Sequence, residues 1–169
     1  MSNKAFVASC SEGGRHHELA RLAGTWEGRS RVWFEADKLA DDSPIRGTIR
    51  VALGGRFVIH EYKTAFGGEP QQGIAIHGYH LDRRRYETAW VDSFHTGTSI
   101  MQSNGEPDGT THRVLGHYGE PAGGPEWAWR TELDHPDEEH LTITAWNVAP
   151  DGSESKAVEI AYTRRRELE

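Results

Sequence analysis

A chain of 169 residues, 36% hydrophobic and 27% charged, carries enough apolar material for one domain with a real core and does not call for a second. Its net charge of −7 argues against a phosphate-backbone partner, and it contains no apolar run long enough for a membrane-spanning helix. Cys10 is the one cysteine, so no internal disulfide can form, which suits a reducing, cytoplasmic setting.

The first residues, MSNKAFVASCSEGG, hold one early lysine and an apolar patch too short for a signal-peptide core. Residues 1–15 therefore read as a flexible tail and 16–169 as a single domain. His16–Leu22 (HHELARL) is the best helix candidate, with Leu19, Ala20, Leu22 and Ala23 toward one face, and Gly24 ends it. So short a helix needs something to pack on. The His16-His17 pair reads mainly as water-facing. From Thr25 to Phe34 the chain alternates, with Trp26, Gly28, Ser30, Val32 and Phe34 on one face and Glu27, Arg29 and Arg31 on the other. That is a half-buried strand, and Trp26 is positioned to plug one end of whatever the strand encloses.

Glu35–Pro44, with its Asp41-Asp42 pair, reads as a loop, and Gly47–Ala52 as a second strand. After the turn Leu53-Gly54-Gly55 come three runs rich in β-branched and aromatic residues: Arg56–Lys63, Gly73–His80 and Arg85–His95. Gly67-Gly68-Glu69-Pro70 and Leu81-Asp82-Arg83-Arg84 separate them, which is a meander signature. Further strands read at Thr98–Ser103, His112–Tyr118, Glu126–Leu133, Leu141–Val148 and Lys156–Thr163, divided by turns such as NGEPDGT and APDGS. Arg83–Arg85 and Arg164–Arg166 read as solvated strand ends. About ten evenly spaced strands with no strand–helix alternation suit a closed barrel or a sandwich, and the expectation is an all-β protein, an antiparallel up-and-down β-barrel with a short N-terminal helix.

Ten histidines keep metal, heme and acid–base chemistry in view without selecting one. Alternation along the three central runs puts Val58, His60 and Tyr62 on one face. By the same rule Ile74, Ile76 and His80 share a face, as do Trp90, Asp92 and Phe94. These are the expected inner positions, and Glu61, His77 and Glu87 the expected outer wall. Trp129 adds aromatic lining. A buried Asp92 needs a partner, either an arginine (Arg56 or Arg130) or backbone donors at a strand end. His60 and His80, if they meet across the cavity, are candidate ligands for a divalent metal or an axial heme ligand. No motif requires a cofactor: HExxH, cysteine pairs, a glycine-rich phosphate loop and GxSxG are all absent.

Several stretches carry a resemblance. A short helix followed by Gly24-Thr25-Trp26 is lipocalin-like. His17 with LARLAGTWEG, then LGGRFVIHEY, GIAIHGYH, Trp90-Val91-Asp92-Ser93 and VEIAYTR, together resemble the domain-of-unknown-function 1579 family of small bacterial proteins. The resemblance runs from about His16 to Arg164 and implies a lipocalin-like barrel with an internal cavity and no established activity. Where the family typically has Gly-Tyr-Asp, this chain has Gly78-Tyr79-His80, and His60 and His95 stand where the pattern does not place histidine.

The leading expectation is a small-molecule binder. His60, Tyr62, Ile76, His80, Trp90, Asp92, Phe94 and Trp129 would hold an apolar or aromatic ligand. A rival is a cofactor-independent isomerase, cyclase or lyase, with His60 or His80 as general base, Asp92 orienting it and Tyr62 or Tyr79 donating a proton. A third is a filled barrel serving assembly only. The expected partner is a small ligand, with neither nucleic acid nor membrane, and a homodimer is left open.

Overall fold

In the computed structural model, which describes residues 3–119 and 122–166, ten antiparallel strands close into a barrel. Two short helices, α1 (Asn3–Ser9) and α2 (Arg15–Ala20), precede β1 (Gly24–Glu35). There follow β2 (Lys38–Ala52), β3 (Phe57–Phe66), β4 (Glu69–His80), β5 (Arg85–Asp92), β6 (Met101–Asn104), β7 (His112–Tyr118), β8 (Trp127–Asp137), β9 (His140–Val148) and β10 (Glu154–Arg164). Each strand pairs with its neighbour in sequence, and β10 returns to pair with β1, so no sheet edge is left open. No helix among the described residues is long and apolar enough to cross a membrane.

Trp26 closes one end of the barrel. Its side chain is 0% exposed, and its indole N–H donates to the Leu22 carbonyl at 2.9 Å. Leu19 and Leu22 seal the same end, which is why so short a helix is stable here. Over the indole, the Arg164 guanidinium lies 4.3 Å from the ring centroid and donates to the carbonyls of Ala23 and Arg21. One arginine thus ties the last strand to the segment entering the first and supplies partners for carbonyls that the helix leaves free.

Three expectations are corrected here. Asn3–Ser9, expected as part of a tail, is helical, and Phe6 packs edge-on against His16 at 5.0 Å and beneath Arg56 at 4.5 Å. His16, expected to face water, is buried, with Ser9 Oγ 2.8 Å from its Nδ1. The stretch Glu35–Pro44 is not a loop: β1 and β2 form a long hairpin turning at Ala36-Asp37, where Asp37 has φ of 60°. The backbone ladder holds it together, and the acidic pair ties it to its surroundings. Asp42 accepts from Arg29 at 2.8 Å and Arg31 at 3.3 Å across the ladder, and Asp41 accepts from the Gly67 amide at 2.9 Å. Two aspartates in a row resemble a turn until the arginines of the partner strand are seen opposite.

Candidate functional site

Inner and outer faces separate by alternation, and the register shows which residues go inside. In β3, Val58, His60 and Tyr62 face the interior. Cross-strand partners share a face, so His60 opposite Ala75 and Tyr62 opposite Gly73 bring Gly73, Ala75 and His77 of β4 inward. In β5, Tyr86, Thr88, Trp90 and Asp92 follow. Beyond the closed end these side chains leave a cavity toward the barrel end opposite Trp26. It offers about 90 Å³ to the centres of water-sized molecules, room for several waters or one small ring.

Its wall is aromatic. Trp90 and Trp129 stack with centroids 5.6 Å apart and planes 21° apart, and His95 lies 5.4 Å from Trp129 and 5.7 Å from Trp90. At the mouth, Phe66 stacks on Phe94 at 4.8 Å, and Phe34 joins them from the tip of the first hairpin at 5.4 and 6.3 Å.

A few polar groups are set into this wall. The Trp90 indole N–H donates to the Tyr62 hydroxyl at 2.9 Å. His60 Nε2 and the Tyr162 hydroxyl are 2.9 Å apart, as are His77 Nδ1 and the Thr88 hydroxyl. The Asp92 side chain is only 6% exposed and accepts from the amides of Thr96 at 2.7 Å and Phe94 at 3.3 Å on Oδ1. Its Oδ2 is 3.0 Å from His95 Nδ1. The partner that the buried aspartate requires is thus the turn ending its own strand, and neither Arg56 nor Arg130.

Electrostatics follow burial. Burial, helped by the neighbouring His77, lowers the His60 pKa to about 3, and burial alone takes His77 down to about 4. Both rings are neutral at pH 7. Burial pushes the Tyr62 and Tyr162 phenols upward, with Asp92 adding to the effect on Tyr62 and Tyr62 to that on Tyr162. Burial alone would raise Asp92. The hydrogen bonds from His95 and the Thr96 and Phe94 amides outweigh it and hold the carboxyl below its ordinary value.

The cavity therefore gathers His60, Tyr62, Trp90, Asp92, Phe94 and Trp129, all named from the sequence as candidates. Ile76 and His80 are not among them. Ile76 is 41% exposed and Ile74 42%, and Ile76 and His80 line a groove on the outer face beside α1. By residue type alone, the branched apolar residues of β4 are the expected inner set. A hollow interior demands the reverse. A Cβ on Gly73 would sit 2.2 Å from the Tyr62 hydroxyl, so the small residues of β4 face inward to clear the rings opposite. His77, expected on the outer wall, faces in because it lies two residues from Ala75 and opposite the inward Val58. With His60 and His80 on opposite faces, the two cannot hold one ion, and among the described residues no three His, Cys, Asp or Glu groups meet as a metal site needs. His95 was missed as a site residue, although its place three residues after Asp92 was a usable signal.

The profile of a family described as "protein of unknown function (DUF1579)" matches residues 11–164. The chain belongs to this family. No curated protein matches the sequence. For this DUF1579 protein the family supplies a domain and no chemistry, so function has to be argued from the cavity.

Proposed function

We propose that this DUF1579 protein binds a small, flat, largely apolar molecule inside the barrel. The observation that carries the reading is the walled cavity: unfilled space bounded by Trp90, Trp129 and Phe66, with a few hydrogen-bonding groups recessed among them. A barrel that served only assembly would gain stability by filling this space, since unfilled volume costs packing energy. Here the small residue Ala75 leaves part of it open.

Blocking the space tests the reading. Titration with a monocyclic aromatic ketone is expected to quench the fluorescence of Trp90 and Trp129 and to raise the melting temperature. Ala75→Phe places a ring in the cavity and is expected to abolish both effects while the fold persists. Unchanged binding in that variant would place the ligand elsewhere. A heme or metal reading has weaker support, because His60 is already engaged by Tyr162 and a tetrapyrrole would have to displace Phe66 and Phe94.

A further inference from the structure

Two groups at the cavity have hydrogen-bonding roles that their neighbours dictate. An ionised carboxylate can only accept, so the contact between Asp92 Oδ2 and His95 Nδ1 requires the proton to lie on Nδ1. In the neutral ring the lone pair therefore lies on His95 Nε2, which has no hydrogen-bond partner among the described residues. The ring is held in place by Trp129, Trp90 and Phe94, its side chain is 22% exposed, and it lines the cavity. An indole N–H can only donate, so the Tyr62 oxygen accepts from Trp90, and the Tyr62 O–H has no acceptor among the described residues. Trp90 bonds to the Tyr62 hydroxyl and lies 5.7 Å from the His95 ring, centroid to centroid. The cavity thus presents a base and a donor beside one aromatic wall.

We infer that the cavity is an acid–base site in which His95 removes a proton from the carbon next to a ligand carbonyl while Tyr62 donates a hydrogen bond to the carbonyl oxygen. This rests on the proposed binding of a ligand in the cavity. The substrate class is a small planar ketone or aldehyde with an α C–H and an aromatic or conjugated body that lies against Trp90 and Trp129. In the step, His95 Nε2 takes the proton. The electrons of the C–H bond form a carbon–carbon double bond, and the carbonyl π pair moves onto the oxygen, where Tyr62 stabilises the charge. Asp92 offsets the charge on the imidazolium. Return of the proton to the same carbon gives exchange, and its return to a conjugated carbon gives isomerisation. No oxidant, reductant or cofactor enters the balance. The sequence reading placed the base at His60 or His80, but the aspartate that orients a base orients His95.

The test uses 1-phenylpropan-2-one in deuterium oxide. Loss of the methylene signal is followed by NMR, and binding is measured separately by tryptophan fluorescence. The protein is expected to speed exchange on the order of a hundredfold over free imidazole at equal concentration. His95→Gln should remove the acceleration, and Tyr62→Phe should lower it on the order of a hundredfold. Both variants should still bind the ketone within about threefold of the wild-type affinity, because the aromatic wall supplies most of the contact. Bound ketone with no faster exchange, or exchange unaffected by His95→Gln, overturns the acid–base site and leaves the binding cavity standing. A ketone that does not bind overturns both.

Discussion

At the scale of single residues, what a side chain does here depends on which face of the barrel it meets. Trp26 has no exposed surface and is held at its N–H by the Leu22 carbonyl and over its ring by Arg164. Trp26→Ala is expected to cost about 3–5 kcal/mol in urea denaturation, the range for emptying a packed aromatic site. A loss under about 1 kcal/mol would show that the plug contributes little. His77 and His80 make the sharper contrast, since they lie three residues apart on β4 and face opposite ways. His80→Ala is expected to leave ligand affinity and melting temperature unchanged, whereas His77→Ala should lower the melting temperature and perturb the cavity floor. Equal effects at the two positions would contradict the register of β4.

Among the elements, the turn after β5 depends most on one side chain. Asp92 holds the Phe94 and Thr96 amides on one oxygen and His95 on the other, and the Thr96 hydroxyl bonds back to the Asp92 carbonyl at 3.1 Å. The strand ends there because the carboxylate offers the following amides a closer partner than a neighbouring strand. The sequence pattern of Arg85–His95 alternates without a break and did not show this stop. Asp92→Ala is expected to destabilise by about 2 kcal/mol, as for lost hydrogen bonds to a charged group, and to speed amide hydrogen exchange at Phe94 and Thr96. Protected amides in the variant would mean that the turn is held by Phe66 and Trp129 instead.

For the whole molecule, the buried imidazoles set the response to acid. Folded His60 and His77 titrate at about 3 and about 4, and burial, with the neighbouring His77, holds His112 well below its ordinary value. In the unfolded chain all three titrate near 6.5. Below that pH the unfolded state binds more protons than the folded one, so stability falls as pH falls, down to about pH 4. Each ring adds a slope of up to about 1.4 kcal/mol per pH unit in this window. Urea unfolding at pH 7, 6 and 5 should show the decline, and His77→Gln should remove one ring's share of it. A flat profile would mean that the three rings take up protons without unfolding.

The sequence alone determined about ten strands, the position of nearly every turn, the plug at Trp26 and the division of β3 and β5 into two alternating faces. These are local matters: alternation, turn residues and a charged outer face are written in neighbouring positions. Tertiary structure alone decided the inward face of β4, the pairing of Asp42 with Arg29 and Arg31, and the choice of His95 over His60 or His80 as the partner of Asp92. Alternation separates a strand into two faces without saying which is inside. In a filled core the larger apolar face goes in. In a hollow barrel the interior must also clear the rings of the opposite strands, so β4 turns Gly73 and Ala75 inward and leaves Ile74 and Ile76 in water.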